Sequence, residues 1–214
     1  MHLGTYSCEQ MIVLRNVFPA SFYDRGPEMV ARELLGKLLV CAYQGHVTAG
    51  IIVETEAYLA ANDTASHAYR GRTARNASMF GPPGRAYVYI LRGHHCLNVV
   101  TEGENVASAV LIRAVEPLLG IGVMHTRRGT ARRTDLTSGP GKLCQALAIC
   151  RQALDGWDLT QGQRLWLAAP EAAMPPEAIA VSGRIGVPRA GELPLRFYVP
   201  SSRFLSRGLH VRFP

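Results

Sequence analysis

With 214 residues, 48% hydrophobic and 18% charged, the chain has a globular composition and the length of one full domain or a small two-lobed unit. Those proportions exclude a disordered chain, and a fold of this size buries enough surface to need no disulfide or metal staple. The formal net charge is +7; of the 23 basic residues only Lys37 and Lys142 are lysines, and the other 21 are arginines. Arginine's planar fork suits bidentate phosphate contact, so the balance agrees with a nucleic-acid partner, as it also agrees with the residue bias of a GC-rich genome.

The five cysteines (Cys8, Cys41, Cys96, Cys144, Cys150) are odd in number, form no C-x-x-C pair, and sit largely in apolar segments such as Leu38 to Cys41. Reduced, buried thiols are expected, which places the protein in the cytoplasm, on the nucleoid if it is bacterial. No stretch nears the roughly 18–20 continuous apolar residues of a membrane span, and the N-terminus lacks a signal-peptide layout. Residues 1–17 read as an N-terminal extension, with Met11 a second candidate start, and 18–214 as a single domain.

In chain order, Pro27 to Gly36 reads as a helix, with proline in its first turn and glycine closing it. Lys37 to Tyr43 and Val47 to Tyr58 are β-rich runs joined by Gln44-Gly45-His46, a hairpin signature. Asn62 to Gly84 is a polar loop rich in Gly, Pro and Arg, and a loop that long inside a compact domain is usually functional. Strands are expected over Ala86 to Leu91, His95 to Thr101 and Ala107 to Val115, then helices over Leu118 to Met124 and Lys142 to Ile149, with Ser138 capping the second. Four arginines in Thr126 to Arg133 form either a solvated loop or a phosphate contact. A Pro/Ala-rich span, Ala168 to Ala178, leads to a last β-rich section that includes Leu195 to Val199. Strands do not alternate with long helices, so a mixed α/β domain dominated by antiparallel hairpins is expected.

Gly50-Ile-Ile-Val-Glu-Thr-Glu-Ala-Tyr58 holds the densest chemistry. Strict strand alternation puts Ile52, Glu54, Glu56 and Tyr58 on one face. Two carboxylates there are either surface glutamates at an exposed strand end, or a general base beside an aromatic wall, as glycosidic hydrolysis requires. Tyr58, His67, Tyr87 and Tyr89 surround the long loop; flat rings flanking a glutamate can sandwich a planar heterocycle, or simply pack a core. His94-His95-Cys96 alternates across a strand and so does not gather on one ion, and no metal site is expected. Gly81 to Gly84 lacks the G-K-[ST] ending of a phosphate loop, and Ser138-Gly-Pro-Gly-Lys142 reads as a helix start that contacts a backbone phosphate.

Taken together, Val53-Glu-Thr-Glu-Ala-Tyr58, His67, Met79-Phe80, Tyr87-Val-Tyr-Ile90, Asn98, Arg113-Ala-Val-Glu-Pro117 and Ser138 to Leu147 resemble the alkyladenine (3-methyladenine) DNA glycosylase family, in order and with similar spacing, from about Phe18 to Val199. The resemblance implies a monomeric, single-domain mixed α/β enzyme with a curved antiparallel β-sheet flanked by helices. Such enzymes insert a side chain into duplex DNA, flip out a damaged purine, and hydrolyse its N-glycosidic bond without metal or cofactor. It places Glu56 as the base that deprotonates water and Arg113 as the arginine that helps hold that water. Tyr58, His67 and Tyr89 become the pocket's aromatic walls, Asn98 the screen against guanine, Leu111 a pocket lining, and Ile185 a residue whose backbone faces water and base. The family's intercalating tyrosine precedes a hairpin glycine; Arg92 stands there, in a segment one residue shorter, so Arg92 and then Leu91 are the expected wedge. Two other functions stay open on sequence: a non-catalytic DNA- or RNA-binding domain of the same fold, and a small-molecule glycosidase or nucleosidase.

Overall fold

The computed structural model describes residues 16–170, 178–187 and 190–206. Eight strands form one antiparallel sheet: β1 (Leu38–Tyr43), β2 (His46–Tyr58), β3 (Ala86–Leu91), β4 (His94–Thr101), β5 (Ser108–Leu119), β6 (Leu165–Ala168), β7 (Ala180–Ser182) and β8 (Arg196–Tyr198). The order is β3-β4-β5-β2-β1-β6, and β8 pairs with both β2 and β7. Strand β2 is therefore forked. Its first half holds β1, its residues Glu54 to Glu56 hold β8, and β5 runs along its other side.

Short helices cover the sheet: α1 (Ala20–Tyr23), α2 (Pro27–Glu33), α3 (Ile121–Arg128), α4 (Pro140–Ala146) and α5 (Arg151–Leu154). The main core lies between them and one sheet face, with Val30 and Leu34 meeting Ile52, Ala57, Ile112 and Val115. A second cluster on the other side gathers Met79, Tyr87, Tyr89, Cys96 and Leu111. Aromatic residues thus line a separate small core, and this one houses the site. Cys41, Cys96, Cys144 and Cys150 are free thiols; Cys8 lies outside the described residues. Burial pushes the Cys41 thiol up to about 11.

The expected antiparallel architecture is present, with several boundaries displaced for identifiable reasons. Both hairpin turns are two-residue: Gln44-Gly45 and Arg92-Gly93 all have positive φ, the geometry whose twist matches the flanking strands, so β2 and β4 begin at His46 and His94. Strand β5 runs on to Leu119 because Glu116 and Pro117 still pair with β2, and Leu118 is strand rather than helix. Gly120 then turns the chain at φ 72°, where a Cβ would meet the Val47 carbonyl oxygen at 2.5 Å, and α3 starts after it. The following helix starts at Pro140, with Gly139 at its N-cap; Ser138 does not cap it. The polar loop contains a 3-10 turn, Ala77–Phe80, and the edge strand β6 had no sequence expectation at all.

Candidate active site

An irregularity in the two longest strands lies at the site and sets it off from the main core. Strand β2 pairs with β5, but the register slips between Ile52 and Glu54 and again between Glu54 and Thr55. Val53 is the extra residue on β2 and Arg113 the extra residue on β5, a pair of bulges facing each other across the ladder. Ile52 and Ala57 face the main core, and Thr55 Oγ1 donates to the Ala31 carbonyl of α2 at 2.8 Å. Glu54, Glu56 and Tyr58 turn to the other side, where Arg113 meets them. Strict alternation had put Ile52 on the carboxylates' face; the bulge changes the phase, and Ile52 belongs to the core.

Both carboxylates are 0% exposed, which rules out surface glutamates at a strand end. Three donors hold Glu56. The Ile185 backbone N–H donates to Oε1 at 2.7 Å, while the Tyr58 hydroxyl and Arg113 Nη1 approach Oε2 at 3.0 and 3.1 Å. Burial and the Glu56 charge push the Tyr58 phenol well up, so it keeps its proton and donates. Burial by itself would lower Arg113, but Glu56 and Glu54 beside it hold its guanidinium above the usual range. The catalytic candidates Glu56 and Arg113 thus stand in fixed contact at 3.1 Å.

In front of this pair lies a cavity of about 210 Å³, lined among others by Tyr58, His67, Tyr87, Tyr89, Asn98 and Leu111. The His67 and Tyr89 rings meet edge-on at 4.5 Å between centroids, and His67 Nδ1 is hydrogen-bonded to the Tyr87 hydroxyl at 2.8 Å. Desolvation, with Arg75 nearby, holds His67 below its ordinary value, so it is neutral at neutral pH; burial pushes Tyr87 up to about 12. The Asn98 amide donates to the Tyr87 carbonyl at 3.0 Å, which fixes its orientation in the wall. Arg113 and Ile185 complete the wall, and Leu91 stands at it while remaining 51% exposed. A groove of about 450 Å³ continues from Leu91 past Arg92, His94 and Lys142.

The family model for methylpurine-DNA glycosylases matches residues 21–203 of this chain. The chain belongs to that family. A relative from Carboxydothermus hydrogenoformans, named "Putative 3-methyladenine DNA glycosylase", is 48% identical over 89% of this chain and 99% of its own length. One of the same name from Methanoculleus marisnigri is 49% identical over 88% of this chain and 98% of itself. A third, from Chlorobaculum parvum, is 50% identical over 87% and 89%.

Of the residues proposed from sequence, Tyr58, His67, Tyr89, Asn98, Leu111, Arg113 and Ile185 all line the cavity, with Glu56 directly behind Tyr58, Arg113 and Ile185. Leu91 and Arg92 sit at the tip of the β3–β4 hairpin, Leu91 on the cavity wall and Arg92 in the groove alone. His95 instead accepts a hydrogen bond from the Arg151 backbone N–H, and His94 packs over Gly141. Arg127 and Arg128 donate to the Ala146 and Asp135 carbonyls, tying α3 to its neighbours, and Arg133, in the turn beyond, donates to the Pro117 carbonyl of β5. More exposed positive charge lies on the polar loop, at Arg70, Arg72 and Arg75.

Two parts of the site had no sequence signal. One is the ion pair of Arg184 with Asp63, both side chains 0% exposed, with Nη1–Oδ2 and Nη2–Oδ1 at 2.7 Å. Arg184 also donates to the Ala57 carbonyl and lies over the Tyr58 ring at 4.6 Å, so one side chain binds the polar loop, the end of β2 and the turn carrying Ile185. The other is Ser206, which reaches Glu54 and Arg113 from the far end of the described chain.

Proposed function

We propose that this protein is a DNA glycosylase of base excision repair that flips an alkylated or deaminated purine of the 3-methyladenine class out of duplex DNA and hydrolyses its N-glycosidic bond. The observation carrying this reading is a fully buried glutamate, held by three donors, at the back of an aromatic cavity. Electron-rich rings favour a cationic alkylated purine, which is already an activated leaving group. As the bond from C1′ to the base nitrogen lengthens, its electron pair leaves with the base and the sugar becomes oxocarbenium-like. Ionised Glu56 opposes that positive charge across a dry site, where such interactions are strong.

Water then adds to C1′ and its proton passes to Glu56. The carboxylate has about four acceptor sites. The described donors use one on Oε1 and two on Oε2, so Oε1 has room for the attacking water beside the Ile185 N–H. Arg113 steadies Glu56 and that water, Asn98 screens the purine edge, and His67, Tyr58, Tyr89 and Leu111 hold the ring. No metal or cofactor enters this scheme, and hydrolysis rather than Schiff-base chemistry follows from a carboxylate at the reacting position.

The exposed hairpin tip and the arginines of the polar loop favour a polymer over a free nucleoside. We assign the wedge to this tip, Arg92 first and Leu91 second. We propose that the protein acts as a monomer. The deciding experiment is release of free base from alkylated duplex DNA, from undamaged duplex and from the corresponding nucleoside. Release from the damaged duplex alone is expected. Binding without release would make the protein a binding module, and equal turnover of the nucleoside would make it a nucleosidase.

A further inference from the structure

Glu54 has no place in the scheme above, yet it is as buried as Glu56 and carries more hydrogen bonds. Its Oε1 is approached by Arg196 Nε at 2.7 Å, by the Ser206 hydroxyl at 2.8 Å and by Arg113 Nε at 3.2 Å. Its Oε2 accepts the Ser206 backbone N–H at 2.6 Å. Ser206 Oγ in turn lies 3.2 and 3.1 Å from Arg113 Nε and Nη2. An ionised carboxylate without solvent is costly unless paired, and here two carboxylates face two guanidiniums, so the buried cluster is charge-balanced.

Geometry gives that pairing a second consequence. A guanidinium is a planar fork that prefers to take a carboxylate with two parallel N–H groups. Arg113 does not take Glu56 in that way. Its Nε and Nη2 edge is held by Glu54 and Ser206, and Nη1 reaches Glu56 Oε2. Were the Nε and Nη2 edge unheld, Arg113 would be free to rotate and grip both oxygens of Glu56, occupying the Oε1 site needed by water. Arg196, which also donates to Ser182, anchors Glu54 from β8, and Phe204 packs on Val53 and Ala114 to seat Ser206.

We infer that Glu54, clamped by Arg196 and Ser206, is a positioning residue that holds Arg113 in a one-point contact with Glu56 and so keeps the general base open to water. This rests on the glycosylase reading, and the test separates the two. In single-turnover release of an alkylated purine from duplex DNA, Glu54→Gln is expected to slow the chemical step about 10- to 100-fold, the scale of a misplaced catalytic group, while lesion-duplex Kd stays within about twofold. The loss should largely vanish in an Arg113→Gln background, because both changes act through one contact. Ser206→Ala is the second variant, since it removes the bridging hydroxyl without stranding a buried charge; a loss of about threefold or more in the same step, with an unchanged Kd, supports the inference. Normal chemistry in Ser206→Ala, or in a folded Glu54→Gln, overturns it. So does a Glu54→Gln loss that adds in full to that of Arg113→Gln, or one that falls equally on Kd. A wild type that releases no base overturns the glycosylase reading itself, and this inference with it.

Discussion

Replacing Glu56 by glutamine changes one oxygen for an NH₂ group, and the surroundings state what that costs. The carboxylate accepts from the Ile185 backbone N–H on one side and from Arg113 and Tyr58 on the other. Either orientation of the amide points its NH₂ at an obligatory donor: Ile185 N–H in one, Arg113 Nη1 in the other. Only the Tyr58 hydroxyl can reverse and accept. One buried donor is left unsatisfied, about 1–3 kcal/mol, and a charge-assisted bond is lost. The full 3–5 kcal/mol or so of a broken buried pair does not apply, because Arg113 keeps Glu54. A destabilisation of about 2–4 kcal/mol lowers Tm by roughly 4–16 °C in a domain of this length. Binding to lesion duplex, measured by anisotropy well below that Tm, should change by no more than about threefold, since the charge lies behind the wall and not in the DNA face. The chemical step should fall by at least about a hundredfold, as loss of a general base does. A Glu56→Gln variant that releases base within about tenfold of wild type refutes the assignment. Should Glu54→Gln abolish release while Glu56→Gln does not, the reacting carboxylate is the other one.

Arg92→Ala should lower the population of flipped base, read by ethenoadenine or 2-aminopurine fluorescence, without changing the rate once flipped; normal flipping in Arg92→Ala with a defect in Leu91→Ala moves the wedge to the leucine, which stands on the cavity wall. Arg184→Met strands Asp63 and should cost about 3–5 kcal/mol, seen as a Tm loss of roughly 6–20 °C. Although burial raises the Asp63 carboxyl, the Arg184 hydrogen bonds and charge and the Leu59 and Ala65 N–H groups hold it net below its ordinary value. Its contribution is therefore complete above the unfolded carboxylate range near ~4 and fades as pH falls through the lower folded value. The Arg184→Met deficit should accordingly shrink on acidification; a deficit constant from neutral to acid pH would refute the pairing argument. Affinity for undamaged duplex should drop with salt: four or five contacts from Arg70, Arg72, Arg75, Arg92 and Lys142 predict a loss of roughly 150- to 500-fold between about 50 and 200 mM. A flat response would remove the electrostatic interface.

Only part of the cavity wall was legible from strand pattern; His67 and Ile185 lie on turns, and Asn98, Leu111 and Ile185 entered through the family resemblance. Tyr87 and Tyr89 alternate on β3 as period two requires, and Leu111 and Asn98 face each other across β4 and β5. Alternation failed at Ile52, where one extra residue reverses the faces, and nothing in Ile-Ile-Val-Glu marks a bulge. The edge strand β6 was missed since Leu165 to Ala168 is short and buried, with no polar alternation to read. Arg184 and Asp63 are 121 residues apart, and Ser206 and Glu54 are 152 apart. Pairings of that separation depend on tertiary closure, and no local pattern encodes them. The arginines of α3 and the turn after it stood on sequence as either a solvated loop or a phosphate contact; Arg127 and Arg128 each give an N–H group to a helix-end carbonyl, while Arg132 stays exposed beside Asp135.

The opposed bulges decide what shares a face with the chemistry. In an unbroken ladder Glu54 would stand opposite Arg113 and share its face with Ile52, Glu56 and Tyr58; the bulges change the phase, so that Ile52 and Val115 join the main core while the carboxylates, Tyr58 and Arg113 stay together. One extra residue on each strand keeps the two strands in step beyond the irregularity, so Thr55 to Tyr58 still pair with Ala109 to Ile112. Between the slips Glu54 pairs with Ala114, and Arg113, the extra residue of β5, reaches both Glu54 and Glu56. The irregular stretch is then closed from outside: Phe204 covers Val53 and Ala114, Ser206 satisfies Glu54, and β8 pairs with Glu54 to Glu56, the segment of β2 that carries both carboxylates. Burial without water is what makes an ionised glutamate strong against a developing sugar cation, and it also makes an unpaired glutamate intolerable. The same segments therefore have to supply stability and reactivity together. A change in the C-terminal cover should reach the chemical step before it reaches DNA binding, because the cover packs on the carboxylate cluster, and Ser206, which also lines the groove, spends its hydrogen bonds on Glu54 and Arg113.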